Sequence, residues 1–208
     1  MSKFSNNEVI NIKIILLGDV GTGKTNLINA YFNREFDINS KSTLSPQYSQ
    51  KKININGINY LIDVWDTAGQ EKYKSISKIF IKGSNIVIFV YDITNEKSFI
   101  NLDYWVNSVE EILWENQVFG LVANKMDLFL QEKVEKERGI KYSKEIGALF
   151  CQTSGKEDKK GFQIFIEKLI KIYIDNNKEI LGSGEKLELN KNNKSRYFKC
   201  KWIINPIL

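Results

Sequence analysis

Apolar residues fall in short runs along this chain, separated by polar stretches and by segments with a helical period. VINIKIILL (9–17) reads as a buried strand, and TNLINAYFN (25–33), beyond a glycine-rich loop, has helical spacing. QKKINING and INYLIDVW, over 50–65, flank the Asn56-Gly57 pair, the strongest short hairpin signal. A helix near 73–82 leads into NIVIFVY (85–91), a continuous apolar run of the buried-strand type. A helix over 96–114 follows, then QVFGLVA (117–123), a helix near 132–147, ALFCQT (148–153) and an amphipathic helix over 160–175. Strands alternating with helices predict an α/β fold. The sheet should be six-stranded and mostly parallel, with one antiparallel edge strand from the hairpin and helices on both faces. Such sheets take ligands at the carboxyl ends of their strands. Residues 1–8 read as a short polar extension and 9–176 as the folded domain. From 177 the composition turns to Asn, Lys, Gly and Glu and cannot bury enough to order itself, which predicts a flexible basic tail over 177–208.

The loop after the first strand, GDVGTGKTN (18–26), fits G-x-x-x-x-G-K-[ST] between a strand and a helix. The architecture is therefore expected to be of the P-loop NTPase type. Glycines let the backbone wrap so that successive N–H groups point inward, and the helix start adds its positive dipole end. Gly18, Gly21, Gly23, Lys24, Thr25 and Asn26 are the expected nucleotide contacts. Lys24 should reach the β- and γ-phosphates, and Thr25 should place its hydroxyl on Mg²⁺. The motif holds phosphates without saying whose they are.

NKMD (124–127) directly follows the strand 117–123 and bears on that choice. A carboxylate at Asp127 accepts two hydrogen bonds from a base edge carrying adjacent N–H and NH₂ donors, which guanine has and adenine lacks. Lys125 can lay its aliphatic stem over the ring, and Asn124 can tie this loop back to the phosphate loop. In TSGK, which ends the next strand, Ser154, Gly155 and Lys156 are expected near the base, with backbone N–H groups facing the guanine carbonyl. DVWDTAGQE (63–71) supplies the chemistry. Asp66 suits contact with Mg²⁺ through a water, Gly69 can offer its N–H to the γ-phosphate, and Gln70 can hold a water in line. In the polar stretch FDINSKSTLSPQY (36–48), Thr43 is the candidate for Mg²⁺ and γ-phosphate, and Phe36 could pack on the base edge. Gln70, Lys24 and Gly69 are thus the expected catalytic residues, and Thr25, Thr43 and Asp66 the expected Mg²⁺ residues.

Composition narrows the classes. The 208 residues are 42% hydrophobic, enough for a real core, and the formal charge is +5. Residues 177–208 hold seven basic and three acidic residues, so most of the excess lies there. A near-neutral body argues against nucleic acid as a partner. With no histidine, His-based acid–base chemistry and His metal sites are excluded. Two cysteines, Cys151 and Cys200, make no disulfide framework and fit a reducing compartment. The opening MSKFSNNE carries no signal-peptide pattern. A small P-loop kinase would need an arginine-rich lid, and the chain's arginines are Arg34, Arg138 and Arg196 alone.

The ordered set GDVGTGKT, Thr43, WDTAGQE, NKMD and TSGK, over roughly 9–175, resembles the Ras-like small GTPases. WDTAGQEKY, FVYDITNEKSF and IKGS look most like the Rab branch, which governs membrane traffic. The resemblance implies a GTP/GDP switch with Mg²⁺ that hydrolyses GTP slowly without an activating protein. It also implies a guanine-nucleotide exchange factor, a GTPase-activating protein, a GDP-dissociation inhibitor and effectors that read the GTP form. The expected location is cytoplasmic, on the cytosolic face of an endomembrane when anchored.

Four departures from the family pattern stand out. Val20 replaces a small residue in the phosphate loop, which raises a second reading, a GTP-binding adaptor that scarcely hydrolyses. LSPQY replaces the usual segment after the threonine, and Pro46 there lacks an N–H. Gly155 stands where alanine is usual. The tail carries no terminal cysteine pair, and Cys200 lies eight residues from the end. Lys191, Lys194, Arg196, Lys199 and Lys201 with Tyr197, Phe198 and Trp202 suit contact with an anionic membrane, aided by a lipid on Cys200. A solvated end with an incidental thiol fits the same residues.

Overall fold

The computed structural model describes residues 9–35, 47–67, 79–112 and 116–177. Phe36, Thr43, Pro46, Gly69, Gln70, most of the helix expected near 73–82, the first eight residues and the tail with Cys200 lie outside the described residues. Six strands form one sheet: β1 (Val9–Leu17), β2 (Gln47–Ile55), β3 (Ile58–Asp66), β4 (Ile86–Asp92), β5 (Val118–Asn124) and β6 (Leu149–Gln152). Their order is β2-β3-β1-β4-β5-β6. Every neighbouring pair is parallel except β2 with β3. That pair is the expected hairpin. Asn56 (φ 52) and Gly57 (φ 81) both take positive φ at the turn, the requirement that makes Asn-Gly a hairpin signal.

Among the described residues, five α-helices of defined bounds cover the sheet: α1 (Lys24–Tyr31), α2 (Glu96–Ile100), α3 (Leu102–Glu110), α4 (Lys136–Glu145) and α5 (Lys159–Asn176). The period of two in β1 divides the core. Ile12, Ile14 and Leu16 pack with Leu27, Ile28 and Tyr31 of α1 and with Phe162, Ile166, Leu169 and Ile170 of α5. Ile15 and Leu17 face the other way, towards Phe99, Leu102, Trp105 and Val106 of α2 and α3. Each such side chain, wholly buried, contributes about 1.5–3 kcal/mol of transfer free energy. Gly120 in β5 is explained by α5, because a Cβ there would meet the Leu169 and Phe165 side chains at 2.9 Å. Asp158 caps α5 by accepting from the Gly161 N–H at 2.9 Å.

Element boundaries move where a local contact outweighs the period. α1 ends two residues before the helical pattern does, as Asn33 takes a left-handed turn (φ 56) and its N–H bonds to the Ala30 carbonyl. The helix expected over 96–114 is divided at Asn101, whose side chain is engaged elsewhere. The one expected near 132–147 begins only at Lys136. Lys133 and Val134 both donate backbone N–H groups to the Ile93 carbonyl, which holds the chain out of a helix there. A 3₁₀ helix (Met126–Gln131) precedes them.

Candidate nucleotide site

The loop after β1 and the loops after β5 and β6 meet at the carboxyl edge of the sheet. Gly18 and Gly23 are required by geometry. A Cβ on Gly18 would collide with the Val90 carbonyl, and one on Gly23 (φ +91) would lie well under 3.0 Å from Asn124 Nδ2. Gly21 (φ +79) faces open space. Gly23 has no side chain with which to cap α1, so first-turn N–H groups remain for an anion. Lys24, 5% exposed, donates from Nζ to the Gly18 and Asp19 carbonyls at 2.8 Å each. Burial pushes its ammonium down to about 8, against the opposing pull of the Asp66 and Asp19 carboxylates. A phosphate at this loop would supply the charge partner that burial demands.

Thr25 donates from Oγ1 to Asp66 Oδ2 at 2.7 Å, so the start of α1 and the end of β3 bring a hydroxyl and a carboxylate together. Two hard oxygen donors of this kind fit Mg²⁺, which takes one or two protein oxygens and fills its shell with waters and phosphates. Thr67 anchors the end of β3 by donating to the Leu16 carbonyl at 2.6 Å. Asn26 lies in the first turn of α1, its buried Oδ1 without a hydrogen-bond partner.

Asn124 joins the loops. Its Nδ2 donates to the Thr22 carbonyl at 2.7 Å, and its Oδ1 accepts from the Gly155 N–H at 3.1 Å. Asp127 receives the Ser154 hydroxyl at 2.6 Å, and Ser154 Oγ in turn accepts the N–H groups of Lys156 and Glu157 at 3.1 and 3.0 Å. The Met126 N–H reaches the Thr153 carbonyl at 3.1 Å, adding a backbone link between the same two loops. A Cβ on Gly155 would press on the Leu27 N and on Asn26 at 3.1–3.4 Å, so an alanine would be tight here.

Lys125 takes a left-handed backbone (φ 68), and its Nζ lies 2.6 Å from Asp92 Oδ2 at the end of β4. Asp92 is a positioning candidate that the motif reading missed. Its signal was legible as a carboxylate closing the apolar run FVYD. Asp19, Asn101 and Trp105 were also missed, and no local pattern marks them. Lys156 pairs loosely with Glu157, at 3.7 Å on the surface.

A glycine cradle opening a helix, a buried lysine inside it and a carboxylate loop tied to it at the same sheet edge define a phosphate-loop nucleotide-binding protein. The family model described as "Ras family" matches residues 13–174. Human "Ras-related protein Rab-8B" is 32% identical over 198 residues, covering 92% of this chain and 96% of its own. "Ras-related protein RABA1b" of Arabidopsis thaliana is 34% identical over 173 residues, covering 83% and 80%. "Ras-related protein Rab-13" of Canis lupus familiaris is 38% identical over 144 residues, covering 69% and 71%. The chain belongs to the Ras family, as a Rab-type small GTPase.

Proposed function

We propose that this protein is a guanine-nucleotide switch of vesicle traffic. It binds GTP and GDP with Mg²⁺, hydrolyses GTP slowly and engages effectors in the GTP form. One observation carries the reading. Asn124 hydrogen-bonds to the phosphate loop and to the TSGK loop at once, so a phosphate grip and a guanine-selective carboxylate share one pocket. Asp127 selects the base, Lys125 covers it, and Lys24 neutralises the β- and γ-phosphates. Thr25, Thr43 and Asp66 would hold Mg²⁺, which would supply positive charge against the phosphates in the transition state. Gln70 orients the attacking water and Gly69 contacts the γ-phosphate, so that GDP and phosphate leave.

A row of aromatics on β2, β3 and the segment before β4 suits an effector surface. Tyr48 stands 5.1 Å from Trp65, and Trp65 stands 5.4 Å from Phe80, measured between ring centroids. Tyr48 is half exposed. Exchange factor, activating protein and GDP-dissociation inhibitor follow from family membership. No helix among the described residues is long and apolar enough to cross a membrane. The basic residues of the tail, with a lipid on Cys200, supply the contact with the cytosolic face of an endomembrane. Arg138 pairs with Glu96 at 2.7 Å and Arg34 lies over Phe32, placements that do not suit a kinase lid.

Purified protein with Mg²⁺ should turn GTP over unaided on the order of 10⁻⁴ s⁻¹, and many turnovers per second would end the switch reading. Val20, 47% exposed on the loop, favours a second reading in which hydrolysis is slower still and the protein acts as a GTP-holding adaptor. Single-turnover hydrolysis should then be faster in Val20→Gly. An unchanged rate would clear Val20 of any part in slowing the reaction.

A further inference from the structure

Asp19 is an anomaly in a loop built for phosphates, because a carboxylate there repels the ligand unless it is turned away and held. Its side chain is turned away. Oδ2 accepts from Asn101 Nδ2 at 2.6 Å, and Oδ1 accepts from Trp105 Nε1 at 3.0 Å. Trp105 is fully buried among the residues of α3 and β4, so its N–H is a fixed point. Asn101 sits at the break between α2 and α3. The backbone of the same residue faces inward. The Asp19 carbonyl accepts Lys24 Nζ at 2.8 Å and Thr22 Oγ1 at 2.9 Å. The crest of the loop lacks comparable support, since Val20 is half exposed and nothing lies within 4 Å of a Cβ on Gly21. The loop is thus held from two sides, by Asn124 near the base and by this outer clamp.

We propose that Asn101 and Trp105 are positioning residues for nucleotide retention. By clamping the Asp19 carboxylate they fix the carbonyl that anchors Lys24, and they turn the break between α2 and α3 into a lever on the phosphate loop. The inference rests on the guanine-nucleotide reading above. A hydrogen bond to a charged group in such a place is worth about tenfold or more in an equilibrium.

Release of fluorescently labelled GDP from the full chain, with Mg²⁺ present, tests it. Asn101→Ala and Trp105→Phe should each speed release about tenfold at temperatures well below melting. Asn101→Asp, which sets two carboxylates together, should speed it further. The exchange Asp19→Asn with Asn101→Asp restores a donor facing an acceptor and should return release towards wild type. In ¹⁵N-labelled protein, the indole N–H signal lost in Trp105→Phe should shift between the GDP form and a non-hydrolysable GTP form. If Asn101→Ala and Trp105→Phe release GDP at the wild-type rate, or if the exchange variant is no better than Asn101→Asp alone, the clamp is not a positioning device. Wild-type protein that binds no guanine nucleotide would instead overturn the functional reading itself.

Discussion

Asp127→Asn should lose about 10⁴-fold in affinity for GTP and GDP and gain affinity for the xanthine nucleotides. The carboxylate offers two acceptors to the guanine N–H and NH₂, whereas an amide replaces one acceptor with a donor. Guanine then faces a donor with a donor. Xanthine presents a carbonyl where guanine has its amino group, and the pairing is restored. The loop should survive the change, because the amide oxygen can still accept the Ser154 hydroxyl that reaches Asp127 at 2.6 Å. Competition of GTP, XTP and ATP against labelled nucleotide reads the result. A variant that kept its preference for GTP over XTP would remove Asp127 from base selection.

Gly23→Ala should release nucleotide about a hundredfold faster and lower the melting temperature. A left-handed φ of 91 costs an alanine about 1–2 kcal/mol. The added methyl group also drives Asn124 away, and Asn124 is 2% exposed, with little room to turn. Its bonds to the Thr22 carbonyl and the Gly155 N–H would be broken together, at roughly 1 kcal/mol each. The sum is about 3–4 kcal/mol, or a hundredfold and more. Asn124→Ala removes the group that the methyl strikes, so the double variant should lose clearly less than the two single losses combined. Strictly additive effects would show that Gly23 and Asn124 do not act on each other.

Much of the fold was legible because each element carried its own period. The buried run 9–17, the Asn-Gly hairpin and the continuous run 85–91 all formed where the pattern placed them, within one to three residues. Helix limits were less legible, because they were decided by partners distant in sequence. Asn101 is drawn to a carboxylate 82 positions away, and the chain before α4 is held by the Ile93 carbonyl. The site shows the same division. Motif spacing named the segments that meet, since a phosphate loop and a base loop each carry their chemistry locally. It could not name the Asp19 clamp, where Trp105 acts across 86 positions and no short word in the sequence links the two. Asp92 fell between these cases, visible as a residue and silent about Lys125.

The short ion pair between Lys125 and Asp92 has a consequence for how the pocket responds to its medium. Its two charges offset one another, whereas Lys24 of the cradle donates to backbone carbonyls and keeps its charge for an anion. Lys125 is 32% exposed and Lys24 only 5%, so dissolved salt should screen the ion pair more than the charge in the cradle. Rising ionic strength should therefore be felt first at the loop after β5 and last at the loop after β1.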